Sequence, residues 1–370
     1  MDMTFTMEQK LLRESAEKMF QGAPLLARLN IDHPDGYDTR LWSQIVELGW
    51  LAVGIPEEFG GIGGGAVETA VIMEEVGRNL LISPYAMSAV ATQAIVHLGS
   101  EDQKALLAKI AAGEMQITIA DVEGPEYGHT TVATMALDVG GGYRLTGRKT
   151  QVQFGATADA FIVSANLHGT LSLFLVEANA EGLSLNSSHS LDLGLVSDMD
   201  LDGVELQAGS LLGKPGEGVS NLRMLENRAI AAACAEASGA MQALVRDTVE
   251  YTKTRKQFGA ALSTFQALQH RLVDMFIRAE FARSMALLAA FEVGRDATSP
   301  EADHVCSAAK YLVMEYAKIN AEEAIQLHGA MGMARELPIG HFYKRIVMLE
   351  NLLGCGFVHL GRMIEVANAA

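Results

Sequence analysis

The sequence predicts an α+β protein made of three successive segments: a helical domain at 1–113, a β-rich domain at 114–217 and a helical bundle at 218–370. Apolar residues recur at helical spacing in the first and last segments, whereas short runs rich in β-branched residues fill the middle one. With 49% hydrophobic and 20% charged residues, a chain of 370 residues can bury a large core.

In the first segment, two capping-box spacings mark helix starts, one at Thr6 with Gln9 and one at Ser100 with Gln103. Further helices are expected around Trp42, at 71–76 and after Ser83-Pro84. The glycine-rich segment 54–65 interrupts this pattern. No strand precedes it and it contains neither GxGxxG nor GKS, so it is interpreted as a structural turn rather than a phosphate loop.

The middle segment contains the runs MQITIADV, YRLTG, AFIVSA and LSLFLVEA, separated by Gly, Asn and Asp. These runs predict the strands of a small barrel or sandwich that ends at the turn 213–218. Four long helical segments then follow, at 219–253, 263–293, 300–328 and 340–366. Long helices joined by short loops favour a four-helix bundle, and Ser299-Pro300 is a typical start for the third.

The stretch Arg255–Met275 is expected to contain the end of one helix, a basic turn and the start of the next helix at a capping box formed by Ser263 and Gln266. Arg255 and its neighbours precede Gly259, where donors can converge on a phosphate. A plain surface turn with a basic corner explains the same residues.

The net charge of −17 argues against nucleic acid or an acidic membrane surface as a partner. Three cysteines without CxxC spacing predict neither zinc nor a disulfide framework, and the histidines have no spacing typical of metal ligands. The first residues lack the layout of a signal peptide, and no apolar run is long enough to span a bilayer. A reducing cytoplasm is the expected location.

Several motifs in order, RKQFG, FQALQHRLVDM, QLHGAMG and PIGHFYKR, together with the earlier PEEFGG and IADVE, resemble the acyl-CoA dehydrogenase family. The resemblance implies FAD between the β domain and the bundle, with its adenine half completed by a neighbouring subunit. It also implies an acyl-CoA substrate, a carboxylate that removes the α-proton, hydride transfer to the flavin, and an electron-transfer flavoprotein or similar acceptor.

The resemblance assigns adenine-side positions of the FAD site. Arg255 corresponds to the arginine that meets the pyrophosphate. The other positions are two contacts beside it, an apolar wall and the family's QxxGGxG turn, in which Ala330 replaces a glycine: Gln257, Phe258, Leu262, Phe265, Leu268, Gln326, Gly329, Ala330 and Gly332. Phe258 and the wall could equally belong to the bundle core.

Flavin-side elements depart from the family pattern. Gln151 and Gln153 occupy the places of a Trp and a Thr that cover the flavin ring. The opening segment of the β domain, DVEGPEYGHT, keeps Glu123 and Gly124, but a downstream serine is not evident.

The catalytic base is missing from its usual place. That place holds Leu353, followed by Gly354 and Cys355, where the family has Glu-Gly-Thr. Glu226 on the first bundle helix is a weak candidate, because counting back from Gly239 puts the alternative family position at Ala229. Glu350, displaced around and along the fourth predicted helix, is a poor substitute.

The leading hypothesis is therefore the subunit without a base in a heterotetramer made with a second acyl-CoA dehydrogenase subunit. Its substrate would be a bulky acyl-CoA, such as a steroid side chain, or a dicarboxylate. One alternative is a self-sufficient homomeric dehydrogenase that uses Glu226. Another is a non-catalytic acyl-CoA-binding or scaffolding protein. Small residues at 229–240 would leave room for a bulky acyl group, or would simply allow close helix packing.

Overall fold

A computed structural model describes residues 5–21, 33–124 and 132–369, with side chains up to residue 365. The predicted α+β class is confirmed, with helices before and after a β-sheet. The N-terminal helices are α1 (Met7–Met19), α2 (Thr39–Glu47), α3 (Ala66–Arg78), α4 (Tyr85–Leu98), α5 (Glu101–Lys104) and α6 (Leu106–Ala111).

Both predicted capping boxes at the N-terminal helices are present. The Thr6 hydroxyl accepts from the Gln9 amide N–H at the start of α1, and the Gln9 side chain accepts from the Thr6 N–H. Ser100 and Gln103 make the same reciprocal pair at the start of α5. These bonds satisfy backbone donors that have no partner inside the helix.

The glycine-rich segment 54–65 is a structural turn, as predicted. The Gly54 N–H donates to the Gly63 carbonyl at 2.8 Å, and a short 3-10 helix lies between them at Glu57–Phe59. A Cβ on Gly61 would lie 1.9 Å from the Ile55 carbonyl oxygen, so only glycine fits at this close approach.

The middle region is one mixed sheet of eight described strands in the order β6-β7-β3-β2-β4-β5-β8, with β1 beside β4. Strand bounds are β1 (Ile117–Ala120), β2 (Met135–Asp138), β3 (Gly142–Gln153), β4 (Ala160–Leu167), β5 (Thr170–Glu177), β6 (Leu183–His189), β7 (Leu195–Gln207) and β8 (Leu211–Leu212). β1 and β2 run parallel to β4, and the other pairs are antiparallel. Phe161 and Phe174 are fully buried in its core.

The C-terminal part contains α7 (Gly218–Thr254), β9 (Lys256–Gln257), β10 (Ala260–Ala261), α8 (Gln266–Asp296), α9 (Pro300–His328), α10 (Ile339–Asn351) and α11 (Gly356–Ala369). Ser299 caps α9 as predicted, accepting from the Ala302 N–H. The fourth predicted helix, 340–366, was wrong as one element. It is split into α10 and α11 because Leu353 and Gly354 adopt left-handed backbone angles.

The predicted capping box at Ser263 is also wrong. Residues 262–264 form a 3-10 turn, and α8 begins at Gln266 after Phe265, with no side-chain cap. The preceding hairpin explains the shift, because the chain leaves it in an extended conformation at Ala261 and turns once before the helix can start.

The chain divides into two compact units. The first takes in the described residues of 1–29 with 66–81 and 230–370, and the second takes in those of 30–65 and 82–229. Since α7 contributes to both, this division differs from the three segments drawn from the sequence, whose boundaries stay a prediction.

In the first unit, the small residues of α7 serve close packing. A Cβ on Gly239 would lie 1.9 Å from the Glu74 carbonyl oxygen, and one on Gly77 would lie 1.8 Å from the Glu236 carbonyl oxygen. The backbones of α3 and α7 therefore touch at this crossing. Every residue from 229 to 240 is buried, which favours the packing interpretation of this stretch.

Candidate functional site

The candidate adenine-side site begins after α7 with a short β-hairpin that has a two-residue turn. The sequence predicted this segment only as a turn. β9 and β10 pair in antiparallel register, and Phe258 and Gly259 between them have φ angles of 55° and 78°. Two consecutive positive φ values are typical of a type I′ turn. The hairpin signal was missed because the first turn position usually holds Asn, Asp or Gly rather than Phe.

Phe258 projects from the tip of this hairpin. Its side chain is 92% exposed, and its ring meets Phe265 edge-on with centroids 6.2 Å apart. The bundle-core alternative for Phe258 is therefore excluded. Leu262, Phe265 and Leu268 are half-buried, so this wall also presents apolar surface. A bulky residue in a left-handed conformation is strained, and such strain clusters at ligand contacts.

Arg255 is held by the backbone while its charge remains available. Its N–H donates to the Tyr251 carbonyl at 2.8 Å, and its carbonyl accepts from the Leu262 N–H at 2.9 Å. The exposed guanidinium makes no ion pair with any residue that the structure describes. A fixed backbone with a free fork of donors suits a phosphate ligand.

The second part of the site is the turn after α9. Gly329 has φ 61° and ψ −141°, a conformation open to glycine almost alone. Gln326, Gly329 and Ala330 are not fully buried, whereas Gly332 is buried and a Cβ there would lie 2.7 Å from the Ile325 carbonyl oxygen. The substituted Ala330 fits because its backbone does not need a positive φ.

Tyr251 and His328 join these two parts, and sequence reasoning missed them. Their rings stack with centroids 4.2 Å apart, and the Tyr251 hydroxyl donates to the His328 carbonyl at 3.3 Å. Tyr251 lies one helical turn before Arg255, and His328 directly precedes Gly329. The spacing YxxxR together with QxHG could have indicated this contact. The stack fixes the basic hairpin relative to the turn after α9.

These residues fit the adenine and pyrophosphate half of FAD. Arg255 offers a cation that has no ion pair among the described residues, Phe258 an exposed ring for stacking, and the turn at Gly329 a backbone with little side-chain obstruction. The predicted adenine-side residues lie on the hairpin, on the start of α8 and at the turn after α9, and their contact with FAD is a proposal.

β3, the strand that carries Gln151 and Gln153, offers no aromatic cover for a flavin ring. Gln151 is exposed with φ 56°, and the Gln153 amide donates to the Gln151 carbonyl at 3.4 Å. Phe154, directly after Gln153, is turned inward at φ 51° and packs edge-on against Tyr37 at 5.9 Å. Neither glutamine supplies the flat aromatic cover that the resemblance places over the flavin ring.

Glu123 has a structural partner. Its carboxylate accepts from the buried Lys149 ammonium at 2.6 Å and from the Thr134 N–H at 3.0 Å, and Ser164 accepts from the same lysine at 2.9 Å. Burial acts to raise the pKa of Glu123, but these hydrogen bonds and the Lys149 charge lower it overall. Residues 125–131 of the opening segment, in which the resemblance implies a serine, lie outside the described residues.

The turn at Leu353, where the sequence predicts that the base is missing, is firmly held. Leu353 is buried with φ 62°, and its carbonyl accepts from His359 Nε2 at 2.9 Å. The buried Lys310 donates to the Leu349 carbonyl, and burial lowers its pKa to about 8. The turn is therefore ordered, but the side chain it presents cannot accept a proton.

The two substitute carboxylates also have partners. Glu226 is 2% exposed and accepts from Arg223 Nη1 at 3.1 Å, one turn earlier on α7. Glu350 Oε2 lies 3.9 Å from Lys318 Nζ. The continuous helix assumed between Glu350 and Leu353 was wrong, because α10 ends at Asn351.

Within the described ranges, no group of three or more His, Cys, Asp or Glu side chains is placed to hold a metal. Among the described residues no disulfide is formed: Cys234 and Cys306 are buried and Cys355 is half-buried. Among the same residues, none of the helices combines the length and the apolar character needed to cross a membrane.

Comparison with known proteins identifies the family. The protein-family model for the acyl-CoA dehydrogenase N-terminal domain matches residues 6–114 of the sequence. The family model for the C-terminal domain matches residues 216–367. The acyl-CoA dehydrogenase FadE27 of Mycobacterium tuberculosis is 29% identical over 325 residues, which cover 86% of this chain and 85% of that protein.

Two solved structures extend the likeness over almost the whole chain. The ChsE4-ChsE5 complex from Mycobacterium tuberculosis includes a chain with a TM-score of 0.91 and 26% identity, with 100% of both chains covered. A variant of the Tcur3481-Tcur3483 steroid ACAD has a TM-score of 0.90 and 28% sequence identity to this chain. The match covers 98% of this chain and 99% of that one. The chain therefore belongs to the acyl-CoA dehydrogenase family of FAD-dependent oxidoreductases.

Proposed function

We propose that this chain is the subunit without a catalytic base in a heteromeric acyl-CoA dehydrogenase. The observation that carries the proposal is Leu353, a buried apolar side chain on the ordered turn to which the sequence resemblance assigns the family's glutamate. A base must accept the α-proton of the thioester, and leucine has no group that can do so. The chemistry would then take place at the second subunit's site.

This chain's own contribution would be an adenine-side half-site. Arg255 would bind the pyrophosphate, and Phe258 and the turn at Gly329 would bound the adenosine. Bound FAD supplies the hydride acceptor. The exposed hairpin supports donation across a subunit interface, because the chain itself leaves Phe258 uncovered. Gln151 and Gln153 support the absence of a second flavin ring on this chain.

The substrate would be an acyl-CoA thioester with a bulky acyl group, such as a steroid side chain, or a dicarboxylate. The similarity to a protein named a steroid ACAD, and to one subunit of a two-protein complex, supports this class and a heterotetrameric assembly. An electron-transfer flavoprotein or a similar carrier would reoxidise the flavin. A cytoplasmic location is part of the proposal, since three cysteines without CxxC spacing are typical of proteins in a reducing compartment.

The test is to express the chain alone and together with a second acyl-CoA dehydrogenase chain encoded beside it. Acyl-CoA-dependent dye reduction is expected only from the pair, and it should survive Glu226→Gln as well as the surface control Glu217→Gln. Desaturation by this chain alone would refute the proposal.

A homomeric enzyme with Glu226 as its base is the second candidate, favoured by the burial of that carboxylate beside Arg223. In that case Glu226→Gln should abolish the activity of the isolated chain while its FAD content stays constant. A non-catalytic acyl-CoA-binding or scaffolding role predicts a colourless protein and no dye reduction even with the second chain present.

A further inference from the structure

A group of hydrogen-bond donors without an acceptor lies at the C-terminal end of α4, beside the first turns of α7. Arg228 Nη2 lies 2.8 Å from His97 Nε2. Arg228 Nε is buried and has no hydrogen-bond partner, and the same holds for the Asn221 side-chain nitrogen. Two unsatisfied buried donors this close in the sequence require an explanation, because each costs about 1–3 kcal/mol.

Gly213 lies between the end of α4 and the Asn221 side chain on α7. Its N–H donates to the Leu98 carbonyl at 3.1 Å, and a Cβ at this position would lie 2.9 Å from the Asn221 side-chain nitrogen. Asn221 therefore lies beside the residue that follows His97. Asn221 and Arg228 are seven residues apart on α7, so they share a helix face. Long helical side chains lean toward the N-terminus, which brings the Arg228 guanidinium toward Asn221.

No described acidic side chain neutralises the charge of the Arg228 guanidinium. Arg228 makes no ion pair with any described carboxylate, and burial lowers its pKa to about 10. Burial and the Arg228 charge lower the pKa of His97, so the imidazole is neutral and Nε2 accepts from the guanidinium. Nδ1 of His97 is then a third donor.

Helix capping does not account for the arrangement. A cation at a helix C-terminus is favourable when it meets the last carbonyl groups. Here the Ile95 carbonyl already accepts from the Gly99 N–H, and the Leu98 carbonyl from the Gly213 N–H. The guanidinium bonds to the imidazole instead.

We propose that Arg228, Asn221 and His97 form a binding site for a small anion, a carboxylate or a phosphate group. Arg228 is half-buried, so its remaining nitrogen, Nη1, can be approached from solvent. A guanidinium fork with neighbouring amide and imidazole donors is the set that such oxyanions prefer. The site lies apart from the adenine-side residues in the sequence and does not depend on the proposed heteromeric function.

The test follows the His97 imidazole by NMR in the full-length chain, with His97→Gln used to assign its resonance. Titration with inorganic phosphate at constant ionic strength should shift this resonance saturably, with a Kd of about 1 mM or below, and raise the His97 pKa. Arg228→Gln should raise that pKa without phosphate, because the repelling charge is gone. It should also weaken phosphate binding about tenfold or more.

Arg148→Gln is the matched control, since it removes an arginine from an exposed pair with Asp198 on the sheet. It should leave the titration unchanged. Glutarate in place of phosphate tests a carboxylate ligand, and coenzyme A against dephospho-coenzyme A tests whether the 3′-phosphate is the group bound. A His97 resonance that none of these compounds moves, or equal phosphate binding by Arg228→Gln, would overturn the proposal.

Discussion

At the scale of single residues, Phe258 is the side chain whose position is hardest to explain without a partner. It is aromatic, almost fully exposed and held at a positive φ. Its only described ring contact is the edge of Phe265. A residue this costly to place is expected to contribute through what it contacts in the assembly.

Phe258→Ala should weaken FAD binding by the two-subunit assembly roughly tenfold, because stacking on a nucleobase contributes about 1–3 kcal/mol. FAD retention during ultrafiltration measures this effect. Phe357→Ala is the control, since Phe357 is also 82% exposed but lies on α11. Equal FAD retention by the two variants would remove Phe258 from the site.

Arg255→Gln should also reduce FAD affinity, with a loss that grows at low ionic strength, where the arginine attracts the pyrophosphate most strongly. Lys253→Gln, which removes a cation paired with Glu250 on α7, should change little. Titration of FAD into the apo-assembly at two salt concentrations provides the comparison. The same salt dependence in both variants would contradict a direct contact.

At the scale of elements, the sheet and the helical part each contain a buried feature that tolerates little change. In the sheet it is Lys149, fully buried on β3 and paired with the Glu123 carboxylate. In the helical part it is the crossing of α3 and α7 at Gly77 and Gly239. Both features can be tested by stability alone, without a substrate.

Glu123→Gln should lower the free energy of unfolding by about 3 kcal/mol at pH 7, because Lys149 would stay buried without its counter-charge. Since the folded-state pKa of Glu123 is depressed, the wild-type pair contributes stability above the pKa of the unfolded carboxyl and loses it as the pH falls. The stabilities of the two proteins in urea unfolding should therefore converge only as the pH falls well below the ordinary Glu pKa of about 4.3. Glu205→Gln, on an exposed pair with Arg144, should cost much less.

Gly239→Ala should lower the free energy of unfolding by about 1–3 kcal/mol, because its Cβ would meet the α3 backbone. Gly294→Ala is the matched control within a helix. Its Cβ would lie 3.8 Å from Val67, an ordinary contact, so the variant should be stabilised by up to about 1 kcal/mol. Equal thermal midpoints for the two variants would contradict the close crossing.

At the scale of the whole molecule, the helix–sheet–helix order followed from hydrophobic periodicity, and the capping boxes at Thr6 and Ser100 followed from local hydrogen bonding. The missed features depend on backbone conformations that residue type does not favour. Phe258 and Leu353 both adopt left-handed angles, which produced an unpredicted hairpin and a break in a predicted helix. The Tyr251–His328 stack joins residues 77 positions apart, a distance that local patterns do not report.

The candidate site was predictable to the extent that it consists of contiguous motifs. Arg255 and Gln326 were assigned from such motifs, whereas the donors at Arg228 and His97 lie on different elements and no motif joins them. The proposed assembly depends on two predictions from motifs: that the adenine-side residues are retained, and that leucine replaces the catalytic base.

The ratio of flavin to chain in the purified native assembly tests the central claim most directly. It is obtained from the flavin absorbance and the quantified subunits. The proposal predicts two different acyl-CoA dehydrogenase chains in equal amounts, with about half a FAD per chain and no stoichiometric FAD in this chain alone. One FAD per copy in an assembly of this chain only, with acyl-CoA desaturation, would contradict it.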